Sequence, residues 1–222
     1  VYQENNHQPY QTPNLARSRV ATLQWTSLCD TPESDLSAFA TDEQQIQIDL
    51  KDFIDHRLTG YASNRNQPSI QGTSRLSAAL ARGLLSPRQC VRAAEEALSR
   101  PIWDFPAGAF SWINELIWRD FYQHLLVGFP RLSKNKAFRP ETEALPWRNN
   151  SEEIESWKSG QTGIPIVDAG MRELKQTGWM HNRVRMVVAQ FLTKNLLCDW
   201  RVGEAHFMRF LVDSDLGANN GG

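Results

Sequence analysis

The chain has 222 residues, 41% of them hydrophobic and 22% charged, with a net charge of −1. That is enough apolar mass for a sizeable core, and too little for a membrane protein or too much for a wholly disordered chain. No run approaches the ~18 apolar residues of a membrane span, and the N-terminal VYQENNHQPY carries no basic and apolar leader pattern. Cys29, Cys90 and Cys198 are far apart and lack CxxC or CxxH spacing, which points away from a disulfide framework or zinc and towards a reducing cytoplasm. Eight tryptophans suggest a use for flat rings beyond core filling. Residues 30 to 60 carry a local charge of −6, so the remainder carries +5, a mildly basic body that could meet a polyanion or be ordinary solvated charge. Val1 is not Met, and the stop at Asn219-Asn220-Gly221-Gly222 does not resemble a domain ending, so a piece of a longer protein is expected.

From Thr41, Ile46, Leu50, Phe53, Ile54 and Leu58 recur at helical spacing behind an N-cap at Thr41 or Asp42, and Gly60 is expected to end this helix. Residues 61 to 73 read as an ordered or functional loop, and Ser74 to Arg82 as a short helix. Ser86-Pro87-Arg88-Gln89 is a capping box with Pro at the first helical position, starting a helix that runs to about Leu98. Phe110 to Val127 predicts one mostly buried helix. After a Pro-rich basic loop, helices are expected near 152–158, 168–176, 182–197 and 203–212. With almost no alternating strand pattern and no repeat, the fold class is all-α.

No GxxxxGK[ST], GxGxxG or HExxH motif occurs, which disfavours P-loop, Rossmann and zinc-hydrolase chemistry. Gly72-Thr73-Ser74-Arg75-Leu76-Ser77 could present hydroxyls and amides to a phosphate, or simply cap a helix. Glu115 lies between Trp112 and Trp118 on the long helix, where it could donate a proton to a bound base or pair with Arg119 one turn on. In TGWMHNRVRM, Asn182 can cap a helix while Arg183 and Arg185 face either nucleic-acid or cofactor phosphate, or are surface arginines. Asp213 to Asn220 could be an Asx-rich turn, a calcium-like loop without EF-hand spacing, or a hydrogen-bonding edge for a heterocycle.

QGTSRLS, WINELIWRDFY, TGIPIVDAGMREL, TGWMHNRVRM, LCDWRVGE and DSDLGANNGG occur in that order. Together they resemble the helical flavin-binding domain of the DNA photolyase and cryptochrome family, particularly its bacterial class I cyclobutane-dimer photolyases. The resemblance covers roughly residues 41 to 222; residues 1 to 40 would be the tail of an antenna domain and a linker. It implies light-driven reversal of pyrimidine dimers in damaged DNA by electron transfer from reduced FAD. It assigns Tyr61, Thr73, Ser74, Arg75, Leu76, Ser77, Trp112, Arg185, Asp213, Asp215 and Asn219 to FAD, and Asn219 to the flavin edge, where Asn favours repair over signalling. Glu115, Trp118, Asn182 and Met186 match positions around the lesion, and Arg65, Arg119 and Arg183 match DNA contacts. Trp147 and Trp200 match two members of a tryptophan electron-transfer chain whose third would follow Gly222.

The resemblance further implies a folate or deazaflavin in the antenna domain, a monomeric parent, no metal and no membrane partner. Two alternatives remain open: a cryptochrome-like blue-light photoreceptor, and an inactive helical DNA-binding remnant. Without the family's C-terminal helices, apolar surface should be bare and the chain should self-associate.

Overall fold

The computed structural model describes residues 34–221, so Cys29 and nearly all of the expected tail and linker fall outside the described residues. The described residues form ten α-helices: α1 (Glu43–His56), α2 (Tyr61–Asn64), α3 (Ser77–Ala81), α4 (Pro87–Leu98), α5 (Ala107–Gly128), α6 (Ser151–Ser159), α7 (Pro165–Thr177), α8 (Asn182–Gln190), α9 (Trp200–Phe210) and α10 (Leu216–Gly221). Short 3₁₀ turns join some of them, and among the described residues there is no strand. None of these helices is long and apolar enough to cross a membrane.

Local signals set several starts. Asp42 accepts the Gln45 N–H at 2.8 Å, and the Ser86–Gln89 capping box forms in both directions. Other boundaries depart from expectation. α1 ends at His56, before Gly60, because the Arg57 and Leu58 amides both return to the Phe53 carbonyl, and Gly60 precedes the extra short helix α2. The helix expected over Ser74 to Arg82 shrinks to α3, since Arg75 takes a left-handed φ of 56° that no α-helix accommodates. α7 begins earlier, at Pro165, and the buried Asp168 carboxylate folds back to accept the Thr162 and Gly163 amides and the Thr162 hydroxyl. α8 stops at Gln190 and continues as a π-helical turn over Phe191–Asn195, with the Leu196 amide reaching back five residues to Phe191. The last expected helix begins at Trp200, and α10 follows it.

Two apolar clusters form the core. The first gathers Ile46, Leu50, Phe53, Leu85, Trp112 and Ile113 from α1 to the front half of α5. The second gathers Trp157, Met171, Leu174, Val188, Leu192 and Phe207 from α6 to α9. α5 is not mostly buried as expected: beyond Leu116, Ile117, Trp118 and Phe121 are exposed. Val187 on α8 also faces outwards rather than into the core. α10 packs on both α5 and α9 and so links the clusters. Exposed Ile117, Phe121, Val127, Phe129 and Phe138 leave a broad apolar surface around α5. Self-association is therefore expected, and a monodisperse monomer in light scattering would contradict it.

In the second cluster Trp157 is fully buried and donates its indole N–H to the Val188 carbonyl at 3.1 Å, with the His206 ring 5.3 Å away. Burial, aided by Lys158, pushes His206 down to about 4. The folded ring then protonates near pH 4 and the unfolded one near 6.5, so unfolding takes up a proton in between and stability falls as pH drops through that window. About 3 kcal/mol is expected to disappear from this group between pH 7 and 4. Urea midpoints across that range should show the slope, and His206→Phe, which keeps a ring beside Phe210, should flatten it.

Candidate functional site

The segment 72–77 is held by its neighbours rather than by a helix. Gly72 passes so close to α2 that a β-carbon there would lie 2.7 Å from the Asn64 carbonyl oxygen, and the Arg57 guanidinium donates to the Thr73 carbonyl at 3.1 Å. Thr73 and Ser77 are half-buried, and their hydroxyls make no hydrogen bond within the described residues. The left-handed turn at Arg75 throws its guanidinium over the Trp179 ring, 4.4 Å from the centroid, joining this segment to the entrance of α8. A cavity of about 190 Å³ touches Ser74, Arg75 and Leu76, and its wall also holds Asp49, Asp52 and Arg57.

On α5, Trp112 is buried against Phe53, with ring centroids 5.0 Å apart. Glu115 does not pair with Arg119. Its carboxylate meets Arg65 at 2.7 Å, while Arg119 turns to the Leu80 carbonyl at 3.3 Å. Arg65 also donates to the Ser111 hydroxyl and lies over the Tyr61 ring, so the residue that ends α2 supplies the cation that α5 was expected to supply for itself. Burial, reinforced by Glu115, pushes the Tyr61 hydroxyl up to about 12. Trp118 is 49% exposed and stands edge-on to Phe121 at 5.5 Å, an open ring braced from the side.

The entrance of α8 corrects the expected cap. His181, not Asn182, occupies the N-cap and accepts the Arg183 amide on Nδ1 at 3.2 Å. Burial first, and then Arg183, push this histidine below its ordinary range. Asn182 and Met186 are exposed, and Arg183 bridges to Asn66 at 2.7 Å. Arg185 is no surface residue. Its Nε donates to the Met180 carbonyl at 2.7 Å, and its Nη2 meets Asp213 Oδ2 at 2.8 Å.

Asp213 to Asn219 forms an Asx-type turn into α10, with Asp215 Oδ1 accepting the Ala218 amide at 2.9 Å. Among the described residues no three His, Cys, Asp or Glu side chains converge to hold a metal ion. Asp213 is buried, and its Oδ1 has no hydrogen-bond partner. A buried, charge-compensated carboxylate with one free acceptor suits a ligand that brings an N–H or O–H, such as a flavin imide or a ribityl hydroxyl. The residues present therefore fit the cofactor that the resemblance implies. Asn219 currently donates to Met208 sulfur at 3.0 Å.

Trp147 and Trp200 are half-buried in the second half of the chain. Arg148 N–H to the Leu197 carbonyl and Asp199 N–H to Asn149 tie the Trp147 segment to the start of α9. His181, Trp179 and Gln123 are structural participants to which sequence reasoning gave no role. The first two lie within a quoted motif, whereas nothing local marks Gln123.

Residues 112–222 match the family model described as the FAD binding domain of DNA photolyase. A "Deoxyribodipyrimidine photo-lyase" of Vibrio cholerae is 47% identical over 207 residues, covering 92% of this chain and 44% of that protein, an alignment long enough to take in residues 61–77. Among solved structures, a bacterial class III photolyase from Agrobacterium tumefaciens superposes with a TM-score of 0.78 at 41% identity, covering 84% of this chain and 38% of that one. A cryptochrome from Synechocystis gives 0.75 at 34%, covering 86% of this chain and 40% of that one. The chain thus spans less than half the length of these relatives. With its helical architecture and its family match, the chain belongs to the family of FAD-binding domains of DNA photolyases.

Proposed function

We propose that this chain carries the flavin- and lesion-binding part of a light-dependent class I photolyase that reverses cyclobutane pyrimidine dimers in DNA. The observation that carries this reading is the buried Arg185–Asp213 pair with its free acceptor, supported by the Glu115–Arg65 pair and the open Trp118 ring on α5. Reduced FAD, when bound, supplies an electron on absorbing light, which opens the dimer and is then returned. The residues do the rest.

Arg185 neutralises Asp213, which is left free to accept a flavin donor. Tyr61, Leu76 and Trp112 give the pocket apolar walls, and Asp215 and Asn219 supply its far edge. The Thr73, Ser74 and Ser77 hydroxyls and the Arg75 guanidinium are suited to pyrophosphate oxygens. On the DNA side, a flipped dimer stacks on Trp118, and Glu115 accepts the imide N–H of a pyrimidine while Arg65 holds it in place. Asn182 and Met186 line the same mouth, with Arg183 and Arg119 beside it for phosphates. Trp147 and Trp200 belong to the chain that delivers electrons to the flavin. An antenna folate or deazaflavin is assigned to a separate domain, residues 1 to 40 to the junction with it, and the full-length parent to the cytoplasm as a monomer.

Visible absorption of the purified protein after incubation with FAD, followed by dimer counting in light and dark, tests the reading. Bound flavin with light-dependent loss of dimers in the full-length protein supports it. Bound flavin without repair supports a photoreceptor, a reading the Synechocystis cryptochrome neighbour makes worth testing. DNA affinity without flavin supports a helical remnant.

A further inference from the structure

α10 has six residues, too few to hold a helix in isolation, yet it carries Asn219. Its tether is Gln123 of α5, whose amide nitrogen lies 3.1 and 2.9 Å from the two oxygens of Asp215. Asp215 in turn accepts the Ala218 amide on Oδ1, and its carbonyl accepts the Asn219 amide at 2.9 Å. The junction is tight: a β-carbon on residue 217 would stand 3.2 Å from both Asp215 Oδ1 and Gln123 Nε2. The two carboxylates of this turn are held differently. Asp213 faces a guanidinium, whereas Asp215 is gripped by a neutral amide that leaves its charge in place.

We propose that Gln123 is a positioning residue of the flavin site: through Asp215 it sets the register of α10 and Asn219, and it does so without neutralising the Asp215 charge. This rests on the flavin reading of the site. An uncompensated carboxylate beside a flavin disfavours the added negative charge of reduction, so a cation at position 123 should make reduction easier.

Gln123→Leu and Gln123→Lys in the full chain test the two halves of the proposal. Without FAD, Gln123→Leu should speed hydrogen exchange at the Ala218 and Asn219 amides by about tenfold, the size expected for losing a hydrogen bond to a charged group, and leave α1 and α4 unchanged. It should also weaken FAD binding by about tenfold. Gln123→Lys should restore the protection and the affinity while raising the reduction potential of bound FAD. Unchanged exchange in Gln123→Leu would overturn the positioning role, and an unchanged potential in Gln123→Lys would overturn the charge argument. If the wild-type protein takes up no FAD, the flavin reading fails and the charge argument falls with it, but the exchange comparison still decides whether Gln123 holds α10.

Discussion

Arg185→Met is expected to lower stability by roughly 3–5 kcal/mol and to leave the protein without flavin. The Asp213 side chain is only 5% exposed and that of Arg185 19%, so solvent screens the pair little. Removing the guanidinium strands a buried carboxylate whose Oδ1 already lacks a partner, and it frees the Met180 carbonyl. Most of the loss is the cost of an unpaired buried charge, not the net strength of the pair. Arg185→Met combined with Asp213→Leu should therefore recover much of the stability while still failing to bind FAD. Urea denaturation read beside flavin absorbance separates the two effects. A single-variant loss below about 1 kcal/mol would mean that the pair is solvated and that its geometry is not what shapes the site.

Trp118→Ala is expected to leave folding within about 0.5 kcal/mol of wild type, because half of the ring already faces solvent. Stacking on such a ring contributes about 1–3 kcal/mol per base, so the preference for dimer-containing over undamaged duplex should fall roughly 5- to 150-fold. Glu115→Gln should act in the same direction, since it weakens both the acceptor and its tie to Arg65. Arg183→Gln provides the contrast: loss of a phosphate contact should weaken both duplexes alike and reduce the salt slope by about 0.9. Binding to the two duplexes at several salt concentrations checks all three variants. Equal weakening of both duplexes by Trp118→Ala would remove this ring from the lesion site.

Much of the fold was legible because its signals are local. The Ser86–Gln89 box names its own helix start, and the spacing of Ile46, Leu50 and Phe53 names the buried face of α1. The misread boundaries share one cause. Periodicity over Ser74 to Arg82 favours a helix, but Gly72 runs close against α2 and Arg75 takes a left-handed turn that carries its guanidinium over Trp179. The π-turn after α8 is likewise invisible to a 3.6-residue pattern, which reads straight through Phe191.

The sequence by itself determined the all-α class and, through six ordered motifs, the family. These follow from spacing, capping chemistry and motif order, all of which are written along the chain. Only the tertiary structure decided which polar groups meet. Glu115 pairs with Arg65 rather than Arg119, Arg185 turns inward to Asp213, His181 caps α8, and Gln123 holds Asp215. A helix offers a carboxylate a partner one turn away, but packing brings side chains of other segments within 3 Å of it, and burial then favours whichever partner leaves the fewest polar atoms unpaired.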